Sequence, residues 1–123
     1  MHQCGIVYGD LKPQNIIVDA EDHLKLTDFG LSKQLNTNEL TKASQGTPEY
    51  AAPEIVRGEG YDHRVDFWAL GITLYELYMG TTPFDCLEGN IGKILKMLVS
   101  KDEINLKDLE NACSDKNFID LIT

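Results

Sequence analysis

The chain has 123 residues, 42% of them hydrophobic and 25% charged, the make-up of one globular unit rather than of a disordered or fibrous protein. Its 11 Lys and Arg against 20 Asp and Glu leave a formal charge of −9, the wrong sign for gripping a phosphate backbone, which excludes nucleic acid as a main partner. Cysteines 4, 86 and 113 are odd in number and far apart, which argues against a disulfide framework or a zinc site and predicts reduced thiols in a cytoplasmic protein.

Asn15-Ile16-Ile17-Val18 is a short β-branched run, and His23 to Thr27 alternates in period two, so the two predict a β-hairpin closed by a turn over Asp19 to Asp22. Leu31 to Gln45 is polar and without period, which predicts a long loop. Loops of that length inside a domain usually serve function. Val65 to Met79 is apolar on nearly every side, broken only by Asp66, Gly71, Thr73 and Glu76, which predicts a helix buried all round at the centre of the core. Its apolar stretch from Phe67 to Met79 falls short of the ~20 residues that span a bilayer. The sequence predicts neither membrane insertion nor secretion. Ile91, Ile94, Leu95, Leu98 and Val99 recur at helical spacing up to Ser100, and Lys116 to Ile122 opens a further helix that the chain end interrupts.

Three local patterns stand out in chain order: Asp10-Leu11-Lys12-Pro13-Gln14-Asn15 before the first strand, Asp28-Phe29-Gly30 after the second, and Ala52-Pro53-Glu54 beyond the loop. Each alone reads as a turn or a cap. In this order and spacing the chain resembles the C-terminal lobe of a eukaryotic protein kinase. Gly46-Thr47-Pro48-Glu49-Tyr50, with Tyr8 where the catalytic-loop histidine usually stands, is most similar to the AGC group of serine/threonine kinases. The resemblance covers nearly the whole chain, which reads as a partial protein kinase domain over residues 1–123, from the catalytic loop to the start of a late helix. It implies an α+β fold, a mainly helical C-lobe with one small β-hairpin and with the N-lobe absent.

The resemblance further implies transfer of the ATP γ-phosphoryl group to Ser and Thr hydroxyls of protein substrates, with ATP and Mg2+ as cofactors, in the complete domain. The other reading is a catalytically silent fragment that binds or regulates. Phosphoryl transfer asks a protein to aim the hydroxyl and to neutralise phosphate charge. By resemblance, Asp10 is the base that orients the hydroxyl, and Lys12 reaches the transferring phosphate. Asn15 and Asp28 match the magnesium ligands, and both offer the hard oxygen donors that Mg2+ prefers. Thr47 matches the threonine beside Asp10 and Lys12, a plain turn role before Pro48 being the alternative.

Asp66 caps the buried helix, bonds to the catalytic-loop backbone as the matching aspartate does in kinases, or does both. Glu76 either matches a glutamate that pairs with a basic residue upstream of the acceptor or is a polar residue at a helix edge. Gln14 replaces a second such glutamate, so the basic preference is expected to be weak. Gly58 to His63 resembles part of a Gly-rich nucleotide loop but lacks the third Gly and a preceding strand. His2, His23 and His63 read as isolated surface or structural residues.

The chain departs from the kinase pattern in several places. The Gly-rich loop, the strand lysine and its partner glutamate are absent, as is the arginine that in the family pairs with the glutamate matching Glu54. The isolated chain is therefore expected to bind MgATP poorly, and without the helix that in the family precedes the catalytic loop and covers part of Val65 to Met79, Trp68 and Leu70 are expected to be partly exposed. Gly9 stands where most kinases have the arginine that grips the activation-loop phosphate, and Ala43 stands at the usual phosphorylation position. Lys33, a second phosphate contact, is retained, and Ser44 and Thr41 lie nearby. Activity is expected to depend little on phosphorylation of this loop.

Overall fold

A computed structural model describes residues 1–36, 38–43, 46–85, 90–100, 104 and 106–122. Cys86 and Ser44 lie outside the described residues. The architecture is α+β, mainly helical with small sheets. The hairpin consists of β2 (Ile16–Val18) and β3 (Leu24–Leu26), antiparallel with Ile16 opposite Leu26. Its turn is tied by Asp19, whose Oδ1 accepts from the backbone N–H of Glu21 and His23 at 2.9 and 3.0 Å. Asn15 was expected in the strand. It closes instead a 3₁₀ turn over Pro13–Asn15, because Pro13 fixes φ and donates no ladder hydrogen bond.

The loop expected from Leu31 to Gln45 is interrupted by a strand, β4 (Lys33–Gln34), which pairs antiparallel with β1 (Ile6–Val7). Strands of two residues carry no readable period, so the alternation that marked the hairpin had no counterpart here.

The helices are α1 (Pro53–Val56), α2 (Arg64–Met79), α3 (Ile91–Ser100), α4 (Lys107–Ala112) and α5 (Lys116–Ile122). The centre of the core is α2, which contributes to three buried clusters. Val65 joins Val7, Ala52, Ile55 and Tyr61; Ala69 and Ile72 join Tyr50, Phe84, Ile94 and Leu98; Tyr75 joins Leu109 and Cys113. The helix ends at Gly80, in the left-handed region at φ 79°, whose N–H bonds to the Glu76 carbonyl at 2.8 Å.

The expectation that α2 is buried all round is corrected. Phe67 is 58% exposed and Leu77 63%, with Leu70 and Tyr78 beside them on the outer stripe. A 3.6-residue repeat puts 65, 69 and 72 on one face and 67, 70, 74, 77 and 78 on the other, and both carry apolar side chains. Composition around the helix therefore could not say which face meets the core. Trp68 is half-buried between the first two clusters. Ile94 and Leu98, one helical turn apart, are the buried face of α3, as their spacing predicts.

Candidate active site

The site forms where the turn before β2 meets the segment after the loop. Asp10 Oδ1 accepts from the Thr47 hydroxyl at 3.0 Å. Its Oδ2 accepts from Asn15 Nδ2 at 3.0 Å and lies 2.9 Å from Lys12 Nζ. Lys12 Nζ donates in turn to Thr47 Oγ1 at 2.7 Å. Asp10, Lys12 and Thr47 thus close a ring of charge-assisted bonds, which Asn15 joins at the Asp10 carboxylate, an arrangement of the kind that holds a group within a fraction of an ångström. Burial pushes the Asp10 carboxyl up, but the bonds from Lys12, Thr47 and Asn15 outweigh it and hold Asp10 below the ordinary aspartate value. Asp10 is therefore an anion at neutral pH.

The ring can close only if the backbone before Asp10 is fixed, and Asp66 fixes it. One carboxylate oxygen accepts from the backbone N–H of Tyr8 at 2.8 Å, the other from that of Gly9 at 2.8 Å. His2 Nε2 approaches the first oxygen at 2.7 Å. The two amides immediately preceding Asp10 are thereby fastened to the first turn of α2. No side-chain bond from Asp66 caps the helix itself, whose N-cap residue is His63.

Asp28 stands apart from the ring. It is exposed at the end of β3, at φ 55°, a conformation that Asp tolerates better than most residues. What ties it to the site is the hairpin: the Thr27 N–H and hydroxyl both donate to the Asn15 carbonyl, at 2.9 and 3.2 Å. Asp28 therefore follows directly on the residue opposite Asn15. The Tyr8 hydroxyl donates to the Thr27 carbonyl, and its ring meets Phe29 edge-on at 5.4 Å between centroids. Burial, followed by the charges of Asp10 and Asp28, raises the Tyr8 phenol, keeping it a neutral donor.

The donor chemistry suits a hard divalent cation. Asn15 donates to both the carbonyl and the carboxylate of Asp10 through Nδ2, which leaves its Oδ1 as an acceptor. Asp28 is exposed, and its Oδ1 accepts from the Gly30 N–H at 3.2 Å. An amide oxygen and a carboxylate presented from adjacent strand ends are ligands of the type Mg2+ takes alongside phosphate oxygens.

Two contacts were not legible in advance. The Tyr50 hydroxyl donates to Glu76 Oε2 at 2.5 Å, fastening the end of the Gly46 to Tyr50 segment to α2. Burial and the neighbouring Glu76 carboxylate push the Tyr50 phenol well up. The other is Tyr61, whose hydroxyl donates to the Ala43 carbonyl at 2.7 Å. The only local signal for it was an aromatic residue beside the Gly58 and Gly60 pair.

A model of the protein kinase domain matches residues 1–123. The chain is 48% identical over 106 residues to the serine/threonine-protein kinase AtPK1/AtPK6 of Arabidopsis thaliana, an alignment covering 86% of this chain and 22% of that protein. It is 52% identical over 84 residues to human cGMP-dependent protein kinase 2, covering 68% of this chain and 11% of the relative. With protein kinase C zeta type of Oryctolagus cuniculus it shares 47% over 91 residues, 73% of this chain and 15% of the relative. The chain thus spans about a fifth or less of the length of these relatives. The match over all residues and the named relatives place it in one family: the chain belongs to the protein kinases, on the serine/threonine side.

Proposed function

We propose that the chain supplies the C-lobe half of a serine/threonine protein kinase active site, transferring the ATP γ-phosphoryl group to Ser or Thr hydroxyls of cytoplasmic protein substrates. The observation that carries this reading is the Asp10, Lys12, Asn15 and Thr47 ring, anchored through Tyr8 and Gly9 to Asp66. Asp10, held ionised, orients the acceptor hydroxyl and takes its proton as the new O–P bond to the γ-phosphorus forms and the bond from that phosphorus to the β,γ-bridging oxygen breaks, ADP leaving with that oxygen. Thr47 and Asn15 keep that carboxylate from rotating, and Lys12 offers positive charge beside it. Asn15 Oδ1 and the Asp28 carboxylate would hold Mg2+, which when bound neutralises charge on the phosphates. Glu76, with one oxygen taken by Tyr50, keeps a second for a basic residue upstream of the acceptor, which supports a weak basic preference.

The test joins the N-lobe of a similar kinase ahead of Met1 and measures phosphate transfer from MgATP to Ser and Thr peptides. Asp10→Asn and Asp28→Asn should each lower kcat by about 10²-fold or more. Turnover undiminished in both variants overturns the assignment. Absence of transfer by the unaltered joined protein, with folding intact, favours a silent binding piece.

A further inference from the structure

The turn after α1 has no part in the ring, and its Gly58-Glu59-Gly60-Tyr61 sequence is not a nucleotide loop. What it touches is the loop between β4 and Gly46. Thr41 and Tyr61 form an antiparallel bridge, each N–H donating to the other's carbonyl, at 3.0 Å from Thr41 and 2.9 Å from Tyr61. The Tyr61 hydroxyl then reaches two residues further, to the Ala43 carbonyl at 2.7 Å. Gly60 faces Leu40 so closely that a Cβ there would lie 3.0 Å from Leu40 Cδ1 and 3.1 Å from its Cβ. Contacts with Leu40, Thr41 and Ala43 thus come from two consecutive residues of the turn.

The turn is itself rooted. Tyr61 is buried in one cluster with Val7 of β1, Ala52 and Ile55 at α1, and Val65 of α2. Val7 precedes Tyr8 and Gly9, whose amides Asp66 holds, and Ala52 follows the Gly46 to Tyr50 segment that carries Thr47. The cluster that Tyr61 belongs to therefore links the loop to the segments before both halves of the ring. Backbone pairing in both directions together with a buried hydroxyl holds a loop by contacts already in the sequence, where other loops need an added charge.

We propose that the Gly58 to Tyr61 turn is a clamp that seats residues 40–43 in their working position without a phosphate, Tyr61 acting as a positioning residue for Thr47 and, through it, Asp10. This rests on the kinase reading for its consequence in catalysis but not for the clamp itself. Gly9 and Ala43 fit it, since neither a phosphate-gripping arginine nor an acceptor hydroxyl stands at those positions.

Amide hydrogen exchange on the full chain tests the clamp directly, because Tyr61→Phe keeps the buried ring and removes only the hydroxyl. Exchange of the Thr41 amide should rise at least tenfold, with the β2 and β3 amides unchanged. Gly60→Ala, which crowds Leu40 and leaves the hydroxyl in place, should do the same. Thr41 exchange within twofold of the unaltered chain in both variants overturns the clamp. So does a rise spread evenly over the chain, which would make the hydroxyl a support of global stability alone. In the N-lobe-joined protein, Tyr61→Phe should lower kcat at least fivefold while KM for ATP stays within twofold. Faster Thr41 exchange with kcat unchanged overturns the positioning role. If the unaltered joined protein transfers no phosphate, the kinase reading fails while the exchange result still decides the clamp.

Discussion

Asp66→Ala is the most informative single change, because it leaves the ring residues untouched and removes what holds them. The Asp66 side chain is buried, the residue being 6% exposed. Its two oxygens accept the Tyr8 and Gly9 amides, both at 2.8 Å. Alanine strips both amides of their acceptor, and a buried N–H left without one costs ~1–3 kcal/mol. The expected destabilisation is therefore about 2–6 kcal/mol, with the Tyr8 end at the upper part because that residue is fully buried. Asp66→Asn keeps one acceptor oxygen and turns an amide donor toward the other N–H, so its effect should be smaller but of the same sign. In catalysis the consequence is displacement of Asp10, and a shift of ~1 Å from the reactive position costs ~10²-fold in rate. The assay pairs denaturation of the N-lobe-joined protein with kcat and with exchange at the Gly9 amide. A role confined to capping α2 would instead cost ~1 kcal/mol and loosen amides near Val65. Normal kcat and a protected Gly9 amide in Asp66→Ala would refute the argument.

Gly46 sits at φ 111°, and a Cβ there would lie 3.1 Å from the Gly9 carbonyl oxygen; Gly46→Ala should cost ~1–3 kcal/mol and lower kcat by displacing Thr47, measured by thermal denaturation and turnover. Asp10 is depressed below its ordinary value, so its folded-state contribution is present above the unfolded pKa and is lost as pH falls through the folded one. The acid limb of kcat should accordingly lie below the ordinary aspartate range, and Thr47→Ala, by removing one donor, should move it upward in a pH–rate profile. Phosphatase treatment should leave turnover within about twofold, whereas loss of a needed phosphate–arginine pair worth a few kcal/mol would cut it by ~10²-fold. A collapse of kcat on phosphatase treatment or in Thr41→Ala would show that phosphate still positions the loop.

How far the sequence could be read follows from how far apart the partners lie. Asp10, Lys12 and Asn15 fall within one turn, so their proximity was visible, and the hairpin was visible because alternation and a turn-forming Asp19 act over adjacent residues. Thr47 reaches Asp10 across 37 positions, and its place came only from the family resemblance. The Asp66 bond to Gly9 spans 57 positions and the Tyr50 bond to Glu76 spans 26. Such bonds leave no periodic trace, since they are made by the meeting of elements whose packing the local pattern does not specify. The β1 to β4 pairing escaped for the same reason: the ladder joins Ile6 to Gln34 through two residues on each side.

The polar interruptions of α2 show what could still be extracted from a helix whose apolar residues cover both faces. Asp66 and Glu76 are ten positions apart, about 15 Å along the axis at 1.5 Å per residue. One fastens the backbone at Tyr8 and Gly9 and the other the Tyr50 end of the Gly46 to Tyr50 segment. Both halves of the ring are thus referred to a single rigid rod, whose buried face spans three core clusters. Rigidity of that rod matters more to the site than its net hydrophobicity, because relative movement of the two segments would pull Thr47 from Asp10. Polarity within an apolar helix is not sufficient evidence, however. Thr73 is buried on the same helix and its hydroxyl has no hydrogen-bond partner among the described residues. A hydroxyl can be carried in a core at a cost of a few kcal/mol at most, whereas a buried carboxylate must be met by donors. Asp66, the buried charge of this helix, needed donors from elsewhere in the chain, whereas the buried Thr73 hydroxyl did not.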